Sequence, residues 1–153
     1  MKVDKQKARE DFDDFIFKMD DQIEALQEEA AASHIDLDMS EGDFERLESL
    51  FDKMSAGVSD DKKIDLIISF ARYLGELVRK LYGGKWALPL DDEKNINFNK
   101  PVIVGHSRVQ GLEFAPITTM RAYALRKRPG TVRQAVMSHV RPQPLDLSDL
   151  IEE

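Results

Sequence analysis

The chain has 153 residues, a size typical of one domain, and its 42% of hydrophobic residues exclude an intrinsically disordered protein. It has no cysteine, which excludes disulfides, thiolate metal sites and a cysteine nucleophile. No apolar run approaches the roughly 18 residues of a membrane span, and the first residues lack the apolar stretch of a signal peptide, so we expect a soluble, cytoplasmic protein without a membrane partner.

The net charge of −7 is distributed unevenly along the chain. Residues 1–60 contain 18 acidic and 7 basic residues, whereas residues 101–145 contain one acidic and seven basic residues. Such segregation has two interpretations: it produces a dipolar surface that steers a charged partner, or the two unlike halves attract each other within the fold.

The first predicted element is a long acidic helix. Its apolar residues recur at alternating spacings of three and four, which predicts one continuous apolar stripe. They are Phe12, Ile16, Met19, Ile23, Leu26 and Ala30. Paired carboxylates cover the rest of this helix at Asp13-Asp14, Asp20-Asp21 and Glu28-Glu29.

Two further helices follow. Ser40 is predicted to begin the second, with Asp43 as its capping-box partner, and Gly57 to end it in a left-handed conformation. Ser59 is predicted to cap a third helix, which is apolar around most of its circumference and is therefore expected at the centre of the fold. Gly75 within this central helix predicts a close crossing by another element.

After Gly83-Gly84 the periodicity changes from helical to alternating. Trp86, Leu88 and Leu90 alternate with other residues, Ile96 and Phe98 do so again, and residues 102–104 form a β-branched run. The pattern predicts a small antiparallel sheet of two or three strands that depends on the helices for stability.

Two basic helices are predicted next. Pro116 suits the first turn of one, and Thr131 with Gln134 forms a capping box for the other. Together these elements predict one mainly helical α+β domain over residues 1–145, with about five helices. It comprises an acidic helical part over 1–57 and the central helix, hairpin and basic helices over 59–141, followed by a flexible acidic tail over 146–153.

Motifs for metals and cofactors are not evident. His34, His106 and His139 are far apart and do not match a metal-ligand spacing, so we expect surface or capping roles for them. Gly83-Gly84-Lys85 lacks the spacing of a phosphate-binding loop. We expect neither a metal nor a cofactor.

One compact set combines a possible base, nucleophile, cation and carboxylate: His106, Ser107, Arg108 and Glu113. Nucleophilic catalysis requires the base and the hydroxyl within hydrogen-bond distance, but adjacent strand residues point to opposite faces. A small enzyme with a pocket near His106–Arg108 therefore remains an alternative, and no residue is predicted to be catalytic.

The charged helices are candidate binding surfaces. The acidic first helix can occupy a basic cleft of another protein through Asp13, Asp14, Asp20, Asp21, Glu24 and Glu28, or it can simply be a solvated face. A second candidate is the basic set Arg121, Arg126, Arg128 and Arg133. Because few aromatic residues accompany it and the whole chain is acidic, direct nucleic-acid binding is disfavoured relative to a solvated face or a protein contact.

Tyr73-Leu74-Gly75-Glu76, then Gly83-Gly84-Lys85-Trp86, then Pro101 before an apolar strand, resemble a loose group of small, mostly uncharacterised bacterial proteins. Several families of this kind resemble immunity proteins of bacterial toxin systems, and the resemblance implies binding rather than catalysis. It covers about residues 60–130. Within the motif, Glu76 has the helical spacing to pair with Arg72 or Lys80, whereas a buried Glu76 would indicate a functional site.

The sequence therefore favours a non-enzymatic protein-binding module. The resemblance points to an immunity protein that neutralises a cognate toxin by occluding its active cleft. A third possibility is an oligomeric scaffold in which two copies pair through the first helix.

Overall fold

The protein's structure is a computed structural model, and it describes residues 3–140. The predicted flexible tail, residues 146–153, lies outside this range. The helices are α1 (Lys5–Phe17), α2 (Met19–Ala32), α3 (Asp43–Ser55), α4 (Asp60–Tyr82), α5 (Pro116–Arg126) and α6 (Thr131–Val140). The two strands are β1 (Lys85–Ala87) and β2 (Val102–Val104), so the mainly helical α+β fold is confirmed.

The long acidic helix is divided into two by one residue. Lys18 lies between α1 and α2 with φ −82° and ψ −1°, which is close to helical. Its amide donates to the carbonyl of Asp14 at 3.1 Å, and its carbonyl accepts from the amide of Gln22 at 3.0 Å. The expected single helix is therefore replaced by two consecutive helices, and Lys18 makes one helical hydrogen bond to each of them.

The start of α3 differs from the prediction. The helix begins at Asp43, and Ser40 lies in the preceding turn, where its hydroxyl donates to the Asp38 carboxylate. Asp43 is buried rather than acting in a capping box. Its carboxylate accepts hydrogen bonds from the backbone amides of Asp38 and Met39 and from the Tyr73 hydroxyl. These donors offset the cost of burying a charge and anchor the segment before α3 to α4.

The central position of α4 is as predicted. Ser59 caps its first turn by accepting from the amide of Lys62, and the helix ends at Gly83, whose φ is +87°. α4 packs against α2, α3 and α5. The core residues with the largest fully buried side chains include Phe44, Phe51, Phe70, Tyr73, Phe114, Leu47, Leu50 and Leu74. Among the large hydrophobic residues of α4, Ile64 near the start of the helix is exposed.

The sheet has two antiparallel strands, with Trp86 opposite Ile103. A single bridge joins Ile103 to Phe114 on the side away from β1, so a third strand is reduced to one pair. The alternating residues Ile96 and Phe98 lie in turns and not in a strand. Pairing of β1 with β2 nevertheless places Trp86 against the helices, and this position matters for the surface described below.

The two basic helices follow. α5 begins at Pro116 as predicted, because a missing amide hydrogen is tolerated in a first turn. The capping box expected for α6 does not form: Thr131 is already helical, and its hydroxyl donates to the carbonyl of Arg128. The buried Glu48 of α3 accepts instead from the amides of Gly130 and Val132, both at 3.0 Å. A carboxylate from another helix thus caps α6.

Candidate protein-binding surface

The acidic residues predicted to bind a partner all lie on the surface. We call this set the acidic face, and its six carboxylate side chains are exposed: Asp13, Asp14, Asp20, Asp21, Glu24 and Glu28. Asp14 pairs with Lys18 at 2.9 Å, within the same stretch of chain. Within residues 3–140, the other five form no ion pair. Their charges are therefore available to a partner.

The acidic face extends along both α1 and α2. Asp13, Glu24 and Glu28 are separated by intervals that correspond to whole helical turns, and Asp20 and Asp21 lie between them. Lys18 has near-helical backbone angles, so α2 follows α1 without an intervening loop. The opposite side of the same helices is buried, with Phe15, Met19 and Leu26 in contact with the body of the protein.

An aromatic side chain lies at the junction of α1 and α2, and the sequence analysis missed it. Phe17 is 86% exposed, the most exposed of the large hydrophobic residues in the described part of the chain. It follows Asp13 by four residues and precedes Asp21 by four, a spacing that places it on the acidic face. An exposed aromatic ring among charges is the kind of residue that contributes most binding energy at protein interfaces. The sequence contained one indication of this exposure: Phe17 directly follows Ile16 of the apolar stripe, so a helix turns its side chain away from that stripe.

The carboxylates of α3 are in a different situation, because the basic helices neutralise them. Glu45 accepts from Arg133 at 2.7 Å, and Asp52 pairs with Lys127 at 3.0 Å. Glu48 caps α6 as described above. Attraction between the two unlike halves of the chain thus explains the charge of α3, but not the charge of the acidic face.

The predicted basic surface is reduced by these contacts. Arg133 is held by Glu45, donates to the Glu41 carbonyl and lies 5.2 Å above the Phe44 ring. Arg133 therefore has contacts within the protein, and its role in partner binding stays a prediction. Arg121, Arg126 and Arg128 are exposed. The last two lie along a groove of about 320 Å³ between α5 and α6, which is otherwise lined by small and polar side chains.

The residues of the Tyr-x-Gly-Glu and Gly-Gly-x-Trp motifs meet in space. The Trp86 ring lies against Gly75, where no Cβ is present to obstruct it. Its Nε1–H donates to Glu76 at 3.1 Å, and the Glu76 carboxylate accepts two hydrogen bonds from Arg79 at 2.8 and 3.0 Å. Arg79 also donates to the carbonyl of Gly84 at 3.3 Å. The pairing of Glu76 with Arg72 or Lys80 is therefore wrong, since Arg79, three residues away, takes this role. The motif residues fix the indole in place.

Two histidines meet inside the protein, contrary to the expectation of surface or capping roles. His106 is 5% exposed, and its Nε2 lies 3.0 Å from Nδ1 of His139 at the end of α6. The Phe114 ring contacts both imidazoles. Burial lowers the pKa of His106, and the adjacent His139 lowers it further; burial also lowers the pKa of His139. Burial therefore favours the neutral form of both imidazoles.

The compact set proposed for catalysis is dispersed. The Ser107 hydroxyl donates to the backbone carbonyl of His139 at 2.6 Å, and the Glu113 carboxylate accepts from the side chains of Asn95 and Asn97. His106 faces His139 and makes no hydrogen bond to Ser107 among the described residues. These contacts give His106, Ser107 and Glu113 structural roles, whereas Arg108 is exposed.

Within residues 3–140, no group of three or more histidine, aspartate or glutamate side chains could hold a metal ion. In the same range, no helix combines the length and the apolar character needed to cross a membrane.

No protein-family model, curated protein or solved structure matches this chain. The resemblance to immunity proteins therefore stays a prediction that rests on the motif residues.

Proposed function

We propose that this chain is a non-enzymatic protein-binding module, which uses its acidic face to cover a basic cleft of a partner protein. The finer proposal is that it is a bacterial immunity protein acting in the cytoplasm, where it neutralises a toxin by occluding the active cleft. A nuclease-like cleft that binds nucleic-acid phosphates would have the complementary positive charge.

The observation that carries this proposal is the contrast between two sets of carboxylates. Those of α3 are neutralised internally by Lys127, Arg133 and the amides at the start of α6. Those of the acidic face are exposed, and five of the six lack an ion pair within residues 3–140. Like charges at short spacing on one face repel one another, so this arrangement lowers stability. Intramolecular ion pairs do not compensate for this repulsion at five of the six positions within residues 3–140. A basic partner would remove the repulsion.

Phe17 supports a binding role over a purely solubilising one. A phenyl ring that is 86% exposed adds nothing to solubility, whereas phenylalanine is enriched at protein interfaces. In an interface, the same ring can fill an apolar pocket of the partner while the surrounding carboxylates pair with basic residues at the rim.

The proposal is tested by affinity capture from cells that express the chain, using matched charge reversals. Asp13→Lys/Glu24→Lys changes the acidic face, and Asp91→Lys/Glu93→Lys makes the same charge change at exposed positions of the loop after β1. We expect a partner retained by the wild type and by the Asp91/Glu93 variant, but lost from the Asp13/Glu24 variant. The partner's gene expressed alone should arrest growth, and co-expression of the wild-type chain should restore it.

Equal retention by both variants would refute the acidic face as the binding surface, and growth that is unaffected by the partner would refute the toxin interpretation. The scaffold alternative gives a third result: the wild type would capture a second copy of itself, and Asp13→Lys/Glu24→Lys would alter its mass in solution.

A further inference from the structure

A groove adjoins the acidic face at the α1 end. Phe12 and Ile16 of α1 form one side of it, Trp86 of β1 and Arg79 of α4 form the other, and Asp13 lies at its edge. We call this feature the Trp86 groove. Its volume is about 340 Å³, equal to on the order of ten water molecules in the liquid, which is enough for one long side chain.

The walls of the groove are fixed before any partner arrives. The Trp86 ring is held by Gly75 behind it, by its hydrogen bond to Glu76 and by an edge-to-face contact with Phe15 at 5.1 Å between ring centroids. Because Phe15 is buried, the aromatic wall does not depend on an exposed, mobile neighbour. A binding site whose side chains are already ordered loses less conformational entropy on binding.

Two charged side chains line the groove, Asp13 and Arg79. Arg79 contributes a guanidinium, but the Glu76 carboxylate binds it through two hydrogen bonds and neutralises it. Asp13 has no ion pair within residues 3–140, so its carboxylate determines the net charge at the edge. The groove therefore combines an indole, two apolar side chains, a carboxylate without an ion pair among residues 3–140 and a guanidinium that is paired with Glu76.

Resting on the proposed function, we propose that the Trp86 groove receives an arginine side chain of the partner. The guanidinium would pair with Asp13 and stack on Trp86, while its aliphatic stem would contact Phe12 and Ile16. Arginine fits better than lysine, since a planar guanidinium stacks on an indole and is more weakly hydrated than an ammonium group. The groove would thereby set the register of the partner along the acidic face.

The test uses the only tryptophan of the chain, Trp86, as a reporter of the groove. The probes are two peptides of equal charge, one of alternating arginine and glycine and one of alternating lysine and glycine. Binding to the full-length protein is measured by anisotropy of labelled peptides at low ionic strength, and occupancy of the groove by Trp86 emission with unlabelled peptides. Asp13→Asn is compared with Glu28→Gln, which removes one charge from the far end of the same face.

We expect the arginine peptide to change Trp86 emission more than the lysine peptide does. Asp13→Asn should weaken binding of the arginine peptide roughly fivefold, and Glu28→Gln less than about twofold. Peptide binding without a change in Trp86 emission, or with equal losses in both variants, would overturn the groove while leaving the acidic face intact. A lack of any peptide binding would also overturn the groove, and the capture experiment would then decide the proposed function separately. A change in Trp86 emission on concentrating the protein alone would place a second copy in the groove and contradict the proposal.

Discussion

Replacing Gly75 with alanine should destabilise the protein, although alanine is the better helix former. A Cβ at this position would lie 3.2 Å from Cε2 of Trp86 and well under 3.0 Å from Cζ2 and Cη2. Carbon atoms prefer separations of about 3.5–4.0 Å, so the ring would have to move by about 1 Å or more. Its hydrogen bond to Glu76 and its contact with Phe15 resist that movement.

The magnitude follows from two opposing terms. Overpacking costs about 1–3 kcal/mol, and we expect about 2–3 kcal/mol here because two ring carbons would lie well under 3.0 Å from the new Cβ. Replacing a helical glycine by alanine returns about 1 kcal/mol. We expect a net loss of about 1–2 kcal/mol in the free energy of unfolding, which corresponds to a fall in Tm of about 2–8 °C for a chain of this length.

A double-mutant cycle with Trp86→Phe isolates the steric term. The phenyl ring lacks the Cζ2 and Cη2 atoms that the new Cβ would meet. In the Trp86→Phe background, Gly75→Ala should therefore be stabilising, by up to about 1 kcal/mol. Urea unfolding followed by far-UV circular dichroism measures all four proteins, and only the difference within each background is used. A Gly75→Ala variant that is as stable as the wild type, or a loss of equal size in both backgrounds, would refute the close-crossing explanation.

Three further predictions concern the cap, the histidine pair and the exposed ring. Glu48→Gln should lower the free energy of unfolding by about 1–2 kcal/mol in urea titrations, because the charge and one acceptor at the start of α6 are lost. The control Glu45→Gln breaks an exposed ion pair and should cost less than about 1 kcal/mol. Burial lowers the pKa of His106 below its ordinary value of 6.5, so below that pH the unfolded chain binds more protons than the folded chain. The stability that the neutral pair provides should therefore be complete above pH 6.5 and decline as the pH falls below it. His106→Gln should reduce the loss of unfolding free energy between pH 7.5 and pH 5.5, and His34→Gln, at an exposed position, should not. An equal loss in the wild type and in His106→Gln would contradict the assignment. Phe17→Ala should change stability by less than about 0.5 kcal/mol while weakening capture of the partner, and a large loss of stability would identify Phe17 as a structural residue.

Local patterns were sufficient to predict several elements of the fold. Ser59 and Pro116 marked the starts of α4 and α5, because a capping hydroxyl and a missing amide hydrogen act within one helical turn. Gly75 predicted a close crossing, and the crossing element is the Trp86 side chain. The helix starts depend on residues only a few positions apart. The close crossing depends on glycine, which has no Cβ to obstruct another element.

Long-range contacts determined the features that the sequence did not reveal. The cap of α6 comes from Glu48, more than eighty residues earlier in the chain. The hydrogen-bond donors to the buried Asp43 include the hydroxyl of Tyr73, thirty residues later. The junction at Lys18 contains no proline or glycine to mark it. The histidine pair depends on how the end of α6 meets the loop after β2, which periodicity alone does not specify.

The candidate surface was predicted in part. Exposure of the six carboxylates follows from their position opposite an apolar stripe, and the structure places all six at the surface. The neutralisation of α3 by Lys127 and Arg133 could not be predicted, since it requires the packing of α3 against α5 and α6. The sequence for this reason did not indicate that Arg133 contacts Glu45.

The most direct test of the central claim is hydrogen exchange of the chain alone and in complex with its captured partner. The account predicts slower exchange across residues 5–32, which form α1 and α2, with the largest change around Phe17. Slower exchange confined to residues 116–140, with residues 5–32 unchanged, would place the partner on the basic helices and contradict the account.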